Sequence, residues 1–145
     1  MGNAAQKHHF WRAFALIIIP AVCCFVLNRS GYYSAKGMGQ PGGSDLLLRI
    51  VLYPVIEEVT FRGILQPWLL THLHRAFLGG AITLANLLTS FVFAAIHLVH
   101  HTPLQAAAVF VPSLVFGWVR EHTGSVVPAI LMHSYYNLIF WAAMG

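Results

Sequence analysis

The chain has 145 residues, 58% of them hydrophobic and 8% charged, with a formal net charge of +4. A soluble domain usually carries about 25% charged residues, so the composition excludes an ordinary soluble protein and describes one embedded in a lipid bilayer. The basic residues occur singly, so the positive charge bears on orientation and headgroup contact, and nucleic acid is excluded as a partner.

Residues 1–9 are a polar tail with Lys7, His8 and His9. The run 10–27, from Phe10 to Leu27, is long enough to span, and Pro20 within it is tolerated in a membrane helix. No A-x-A site follows, which favours a signal anchor over a cleaved signal peptide. Cys23 and Cys24 are neighbours with no metal-ligand spacing, and a bridge between them would be strained, so they read as packing residues. Residues 28–44 hold Gly31, Gly37, Gly39, Pro41, Gly42 and Gly43 and read as a loop or re-entrant connector. Tyr32 and Tyr33 suit the membrane interface.

Residues 45–70 are expected to form the second span, capped by Ser44 or Asp45. Pro54 lacks an N–H and crowds the carbonyl of Ile50, which predicts a kink one turn before Glu57. Gly63 and Pro67 predict a second break before Leu70. Residues 71–77 read as a loop with His72, His74 and Arg75. The third span is expected at 78–99, the fourth at 104–119 and the fifth at 126–144. Between the last two, Arg120-Glu121-His122-Thr123-Gly124-Ser125 reads as a short loop. The fold class is therefore all-α, a polytopic transmembrane helix bundle of about five spans. It forms a single membrane domain over 1–145. With the N-terminus inside, Lys7, Arg12, Arg75 and Arg120 are cytoplasmic against Arg29 and Lys36 outside, a slight positive-inside excess.

Glu57, Glu58 and Arg62 fall within one apolar span. An ionised side chain at mid-bilayer costs roughly 2.5–3.5 kcal/mol on insertion scales, so three so close together require an explanation. Glu58 and Arg62 are four residues apart and share a helix face, which predicts a buried strut. Glu57 points about 100° away and has no such local partner. The third span carries Phe93 and His97, and the fifth His133 and Asn137, each pair on one face. Polar groups in a membrane usually face the bundle interior, so Glu57, His97, His133 and Asn137 are expected to converge. A carboxylate and an imidazole flanking one water can remove its proton as it attacks a carbonyl. A second imidazole and an amide can donate to the oxyanion.

No serine or cysteine nucleophile stands out, and there is no H-E-x-x-H zinc motif. No cofactor is expected, although Glu57, His97 and His133 are residue types that ligate metals. Taken singly, His97 reads as an interfacial residue and His133 with Asn137 as glue between helices. Their joint occurrence with the acidic pair turns the reading toward chemistry. His72, His74, His100, His101 and His122 read as loop or interface residues.

These motifs resemble a known family. Glu57, Glu58 and Arg62 resemble the E-E-x-x-x-R motif of the CAAX protease and bacteriocin-processing proteins, the CPBP or Abi membrane proteases. Phe93-Ala94-Ala95-Ile96-His97 is similar to their F-x-x-x-H motif, and His133-Ser134-Tyr135-Tyr136-Asn137 to their H-x-x-x-N or D motif. The resemblance covers about 45–141, a catalytic core preceded by an anchor helix and connector over 1–44. It implies an intramembrane glutamic-type endopeptidase. Glu57 and His97 would activate water, His133 and Asn137 would bind the oxyanion, and Glu58, Arg62 and Phe93 would support them. The partners implied are the bilayer and a protein or peptide substrate that is membrane-associated or C-terminally tagged. The location implied is a bacterial inner membrane, spanned several times. A single span ahead of the core departs from larger members and speaks against prenyl-peptide cleavage and for a narrower role, such as trimming C-terminal sorting tails. The rival reading is a non-catalytic binding, immunity or maturation protein built on the same polar cluster.

Overall fold

Two prolines set the shape of the first helical rod. The computed structural model describes residues 43–144. The expected anchor at 10–27, the Cys23–Cys24 pair and nearly all of the connector lie outside the described residues. The rod comprises α1 (Gly43–Leu47), a π-helical turn π1 (Leu48–Leu52), α2 (Tyr53–Glu58), a second π turn π2 (Val59–Leu65) and α3 (Gln66–His72). Every residue at the later junctions holds right-handed helical dihedrals, so the segments run end to end. Asp45 lies within the first turn rather than capping it.

Pro54 and Pro67 each follow a π turn. A proline inside a helix lacks a donor, and its ring crowds the carbonyl four residues back. Widening the preceding turn relieves that crowding. The residue before each proline accordingly donates five residues back: Tyr53 N–H to the Leu48 carbonyl, and Gln66 N–H to that of Phe61. The expected break at Gly63 and Pro67 therefore does not occur. The wide turn absorbs it, and the rod continues to His72.

A small antiparallel ribbon follows, β1 (Ala76–Phe77) and β2 (Ile82–Thr83), with Ala76 opposite Thr83 and Phe77 opposite Ile82. A 3₁₀ turn (Leu78–Gly80) joins its strands, and Gly80 takes φ 93°, a conformation glycine adopts without strain. This corrects the expected third span at 78–99. The helix there, α4 (Leu84–His97), starts only where the Thr83 hydroxyl caps Asn86 N–H at 3.0 Å. Its 14 residues rise about 21 Å, less than the roughly 30 Å of a bilayer core.

The next helix, α5 (Pro103–Thr123), opens on a capping box between Thr102 and Gln105 and closes on left-handed Gly124. It runs beyond the expected 104–119, so Arg120, Glu121 and His122 are helical rather than loop residues. Their polarity marked a loop in the sequence. In the fold, Glu121 finds donors inside the protein, Thr83 Oγ1 at 2.6 Å and Gln66 Nε2 at 2.7 Å. The last helix is α6 (Val127–Met144). Among the described residues, only α5 is long and apolar enough to cross a membrane by itself.

The helices pack with α5 between α4 and α6 and against the rod. An α-helix turns about 100° per residue, so four-residue steps drift around its axis. The extra residue per turn in π2 takes back part of that drift. Pro54, Glu58, Arg62 and Gln66 therefore stay on one buried stripe of the rod.

Candidate active site

The buried stripe meets α5 along Ser113, Phe116, Gly117 and Arg120, spaced as one helix face. Arg62 is fully buried there. Its Nη1 donates to Glu58 Oε1 at 3.0 Å, and its Nη2 donates to the Ser113 carbonyl at 2.8 Å and to Ser113 Oγ. The rings of Phe93 and Phe116 lie 4.7 and 5.6 Å from the guanidinium carbon. A buried charge is tolerated when it is paired and hydrogen-bonded, and aromatic faces add attraction for a cation.

Glu58 Oε1 also receives His133 Nδ1 at 2.8 Å. That oxygen already accepts from Arg62, so the imidazole is the donor and Nδ1 carries the hydrogen. The ring's other nitrogen, Nε2, then faces Glu57, 3.7 Å from its Oε2. Phe116 stacks on the His133 ring at 4.9 Å and 17°, which limits its rotation. The imidazole thus stands between two carboxylates of unlike exposure. Glu58 is sealed off, while the Glu57 side chain keeps 31% of its surface.

Phe93 is the common neighbour of the site's rings. It is buried and lies 4.6 Å from the His97 ring, 5.9 Å from that of His133 and 5.1 Å from that of Phe61. His97 Nδ1 donates to the Phe93 carbonyl at 2.8 Å. A carbonyl only accepts, so the neutral ring carries its hydrogen on Nδ1 and offers the Nε2 lone pair. His97 is within electrostatic reach of Glu57. The His97 ring also stacks with that of His101 at 5.7 Å and 19°.

The residues singled out from sequence therefore divide. Glu57, Glu58, Arg62, Phe93 and His133 form one cluster, and His97 joins it through Phe93. Asn137 takes a different partner: its Nδ2 donates to the Arg49 carbonyl at 2.9 Å. Sequence reasoning missed Ser113, Phe116 and Arg120. Their signal was the recurrence of Ser113, Phe116, Gly117 and Arg120 at helical spacing. It was hard to notice because most of that face is uncharged.

Beside this cluster lies a polar brace. Gln66 Nε2 donates to the Gly117 carbonyl at 3.1 Å, and Asn86 Nδ2 to the Leu114 carbonyl at 2.9 Å. Gly117 is required by close approach, since a Cβ there would sit 2.0 Å from Asn86 Oδ1. Among the described residues, no three His, Cys, Asp or Glu side chains are grouped so as to hold a metal ion.

A family model described as type II CAAX prenyl endopeptidase, Rce1-like, matches residues 43–139. No curated protein and no solved structure matches the chain.

Proposed function

The chain belongs to the Rce1-like family of type II CAAX prenyl endopeptidases, integral membrane proteases with protein substrates, and on that premise we propose a glutamic-type intramembrane endopeptidase whose nucleophile is a water activated by Glu57 and His97. The observation that carries this reading is the imidazole of His133 set between two carboxylates, Nδ1 bonded to buried Glu58 and Nε2 facing part-exposed Glu57. Paired groups of the same type with different surroundings serve different roles.

In the proposed reaction the water loses a proton to Glu57 as its oxygen bonds to the scissile carbonyl carbon. His97, fixed by its bond to the Phe93 carbonyl, accepts a hydrogen bond from that water at Nε2. In this step His133 enters as the imidazolium, with a proton taken from solvent on Nε2 in addition to the one on Nδ1, and the carbonyl oxygen accepts from Nε2–H as it becomes an oxyanion. Glu58 stabilises the doubly protonated ring through Nδ1, the role a buried carboxylate plays behind a catalytic histidine. As the C–N bond breaks, Glu57 returns the proton to the leaving amine. The products are a carboxylic acid, which gives its remaining proton to solvent, and an amine, and the proposed step uses no metal.

The proposal includes the wider setting. The 1–145 chain is a single membrane domain of about five spans in a bacterial inner membrane, with 45–141 as its catalytic core. The substrate is a membrane-associated or C-terminally tagged protein.

The test uses the full chain in lipid nanodiscs with fluorogenic peptides ending in a CAAX sequence, with and without a prenyl group. Glu57→Gln and His97→Ala are each expected to lower kcat by about 10²–10⁴, the usual contribution of a positioned acid or base, with the fold intact. Parental activity in Glu57→Gln would remove its assigned role. Cleavage is also expected to withstand a chelator. Loss on chelation with rescue by zinc would instead make Glu57, His97 and His133 metal ligands.

A further inference from the structure

The ribbon between the rod and α4 turns its apolar residues outward. Phe77 keeps 45% of its surface and Leu78 78%. Leu78 also holds φ 52°, a left-handed conformation that a bulky side chain rarely adopts. Glycine or asparagine would close the same turn with less strain, and an outlier of this kind points to a role beyond closing the chain. The ribbon is firmly built. Ala76 pairs with Thr83 and Phe77 with Ile82, and Leu84 N–H donates to the Arg75 carbonyl at 2.8 Å. Thr83 Oγ1 ties it to Glu121 of α5 at 2.6 Å.

The surroundings are those of a membrane boundary. Glu121 also receives Gln66 Nε2 at 2.7 Å, so the ribbon, the end of the rod and the last turns of α5 lie at one level. At that level the Trp68 ring lies 4.9 Å from His72 and the Trp118 ring 4.1 Å from His122. Tryptophan concentrates at bilayer interfaces. Arg75, His72 and His74 are exposed, and the sequence holds no acidic residue between Glu58 and Glu121. Cationic groups beside exposed apolar ones match a lipid surface, where phosphate lies over acyl chain. The 14 residues of α4 rise only about 21 Å against a core of roughly 30 Å, so what flanks the helix has to share the apolar layer with it. Backbone enters that layer only with its polar groups paired, and the ribbon pairs them. We propose that the ribbon is an interfacial anchor: Phe77 and Leu78 enter the acyl chains just below the headgroups, Arg75 pairs with a lipid phosphate, and the N-terminal end of α4 is held at a fixed depth.

The test measures depth, so it stands apart from the enzyme reading. In the full chain, Cys23 and Cys24, its two cysteines, are replaced by alanine. Leu78→Cys or His74→Cys then carries a nitroxide, and the protein is placed in phosphatidylcholine nanodiscs. Collisions with oxygen, which concentrates among acyl chains, are compared with those of a water-soluble nickel chelate. The label at 78 is expected to favour oxygen, at a depth of about 5–10 Å, the usual burial of an interfacial apolar face. The label at 74 should favour nickel. A label at 78 that favours nickel lies in water and overturns the proposal. Low access to both reagents means that protein covers the tip, whether another segment of this chain, a second copy or a peptide, and also overturns it. Adding Arg75→Glu should shift the label at 78 toward nickel, and an unchanged ratio overturns the pairing with phosphate. If the labelled chain does not accumulate, the parent is placed in nanodiscs with a phosphatidylcholine bearing a diazirine high on its acyl chain. Crosslinks on Phe77 and Leu78 support the anchor. Crosslinks on exposed Trp68 without any on the ribbon overturn it.

Discussion

The two π turns of the rod solve one problem with different chemistry. At π2 the freed carbonyl of Arg62 takes a guanidinium, and Arg62 itself is buried among Glu58, Ser113, Phe93 and Phe116. Beyond it the brace of Gln66, Asn86, Gly117 and Glu121 ties the rod to α4 and α5. At π1 the freed carbonyl of Arg49 takes a neutral amide, and Arg49 is exposed. The π2 junction is a buried charged knot, and the π1 junction a lighter, more exposed strut. A site that must admit a peptide has to be open on one side. The π2 side carries the denser set of buried hydrogen bonds.

Replacing Arg62 is the most severe way to break this contrast. Arg62→Leu strands the buried carboxylate of Glu58 and should cost about 3–5 kcal/mol, read as a large fall in melting temperature in detergent. Adding Glu58→Gln should restore part of it, and full additivity would show that the two charges do not depend on each other.

A smaller effect is expected from Gly117→Ala. The added methyl would meet the Asn86 side chain, and overpacking of this kind costs about 1–3 kcal/mol. Activity per folded molecule should be unchanged, since the brace touches no reacting group.

Arg120→Leu sharpens the comparison most directly. It leaves the Arg62 carbonyl without its side-chain donor, as Asn137→Ala does for Arg49, and an unsatisfied group costs roughly 1–3 kcal/mol. The expected distinction is functional. Arg120→Leu lowers stability and spares kcat in the folded fraction, whereas Asn137→Ala lowers kcat. Equal losses of kcat would erase the division between a rigid and a catalytic junction.

The mildest change is Glu121→Gln. The amide oxygen still accepts from Thr83, and the loss should stay near 1 kcal/mol, detectable as a small shift in melting temperature.

Local sequence rules settled what is local. The Glu58–Arg62 contact follows from four-residue spacing on a helix, and it is present at 3.0 Å. The prolines announced a disturbance in the rod, but its form, a widened turn instead of a break, depends on how the freed carbonyls are satisfied by other helices. Charge misled the reading of α5: Arg120 and Glu121 mark a loop only if nothing inside the protein can pair with them. The start of α4 was misplaced because the apolar residues at 76–84 fit a short ribbon as well as a helix, and the Thr83 cap decided between them.

By itself the sequence determined that this is an apolar, mostly helical chain with an acidic pair, an arginine and two histidines placed on helices at fixed spacings, because those features arise from side-chain chemistry and helical period. Only the tertiary structure decided that His133 bridges the two glutamates, that Asn137 turns to a backbone carbonyl, and that Ser113 and Phe116 enclose Arg62. Those contacts join residues about 50 to 90 positions apart, and their geometry is set by how helices cross, which no local pattern encodes.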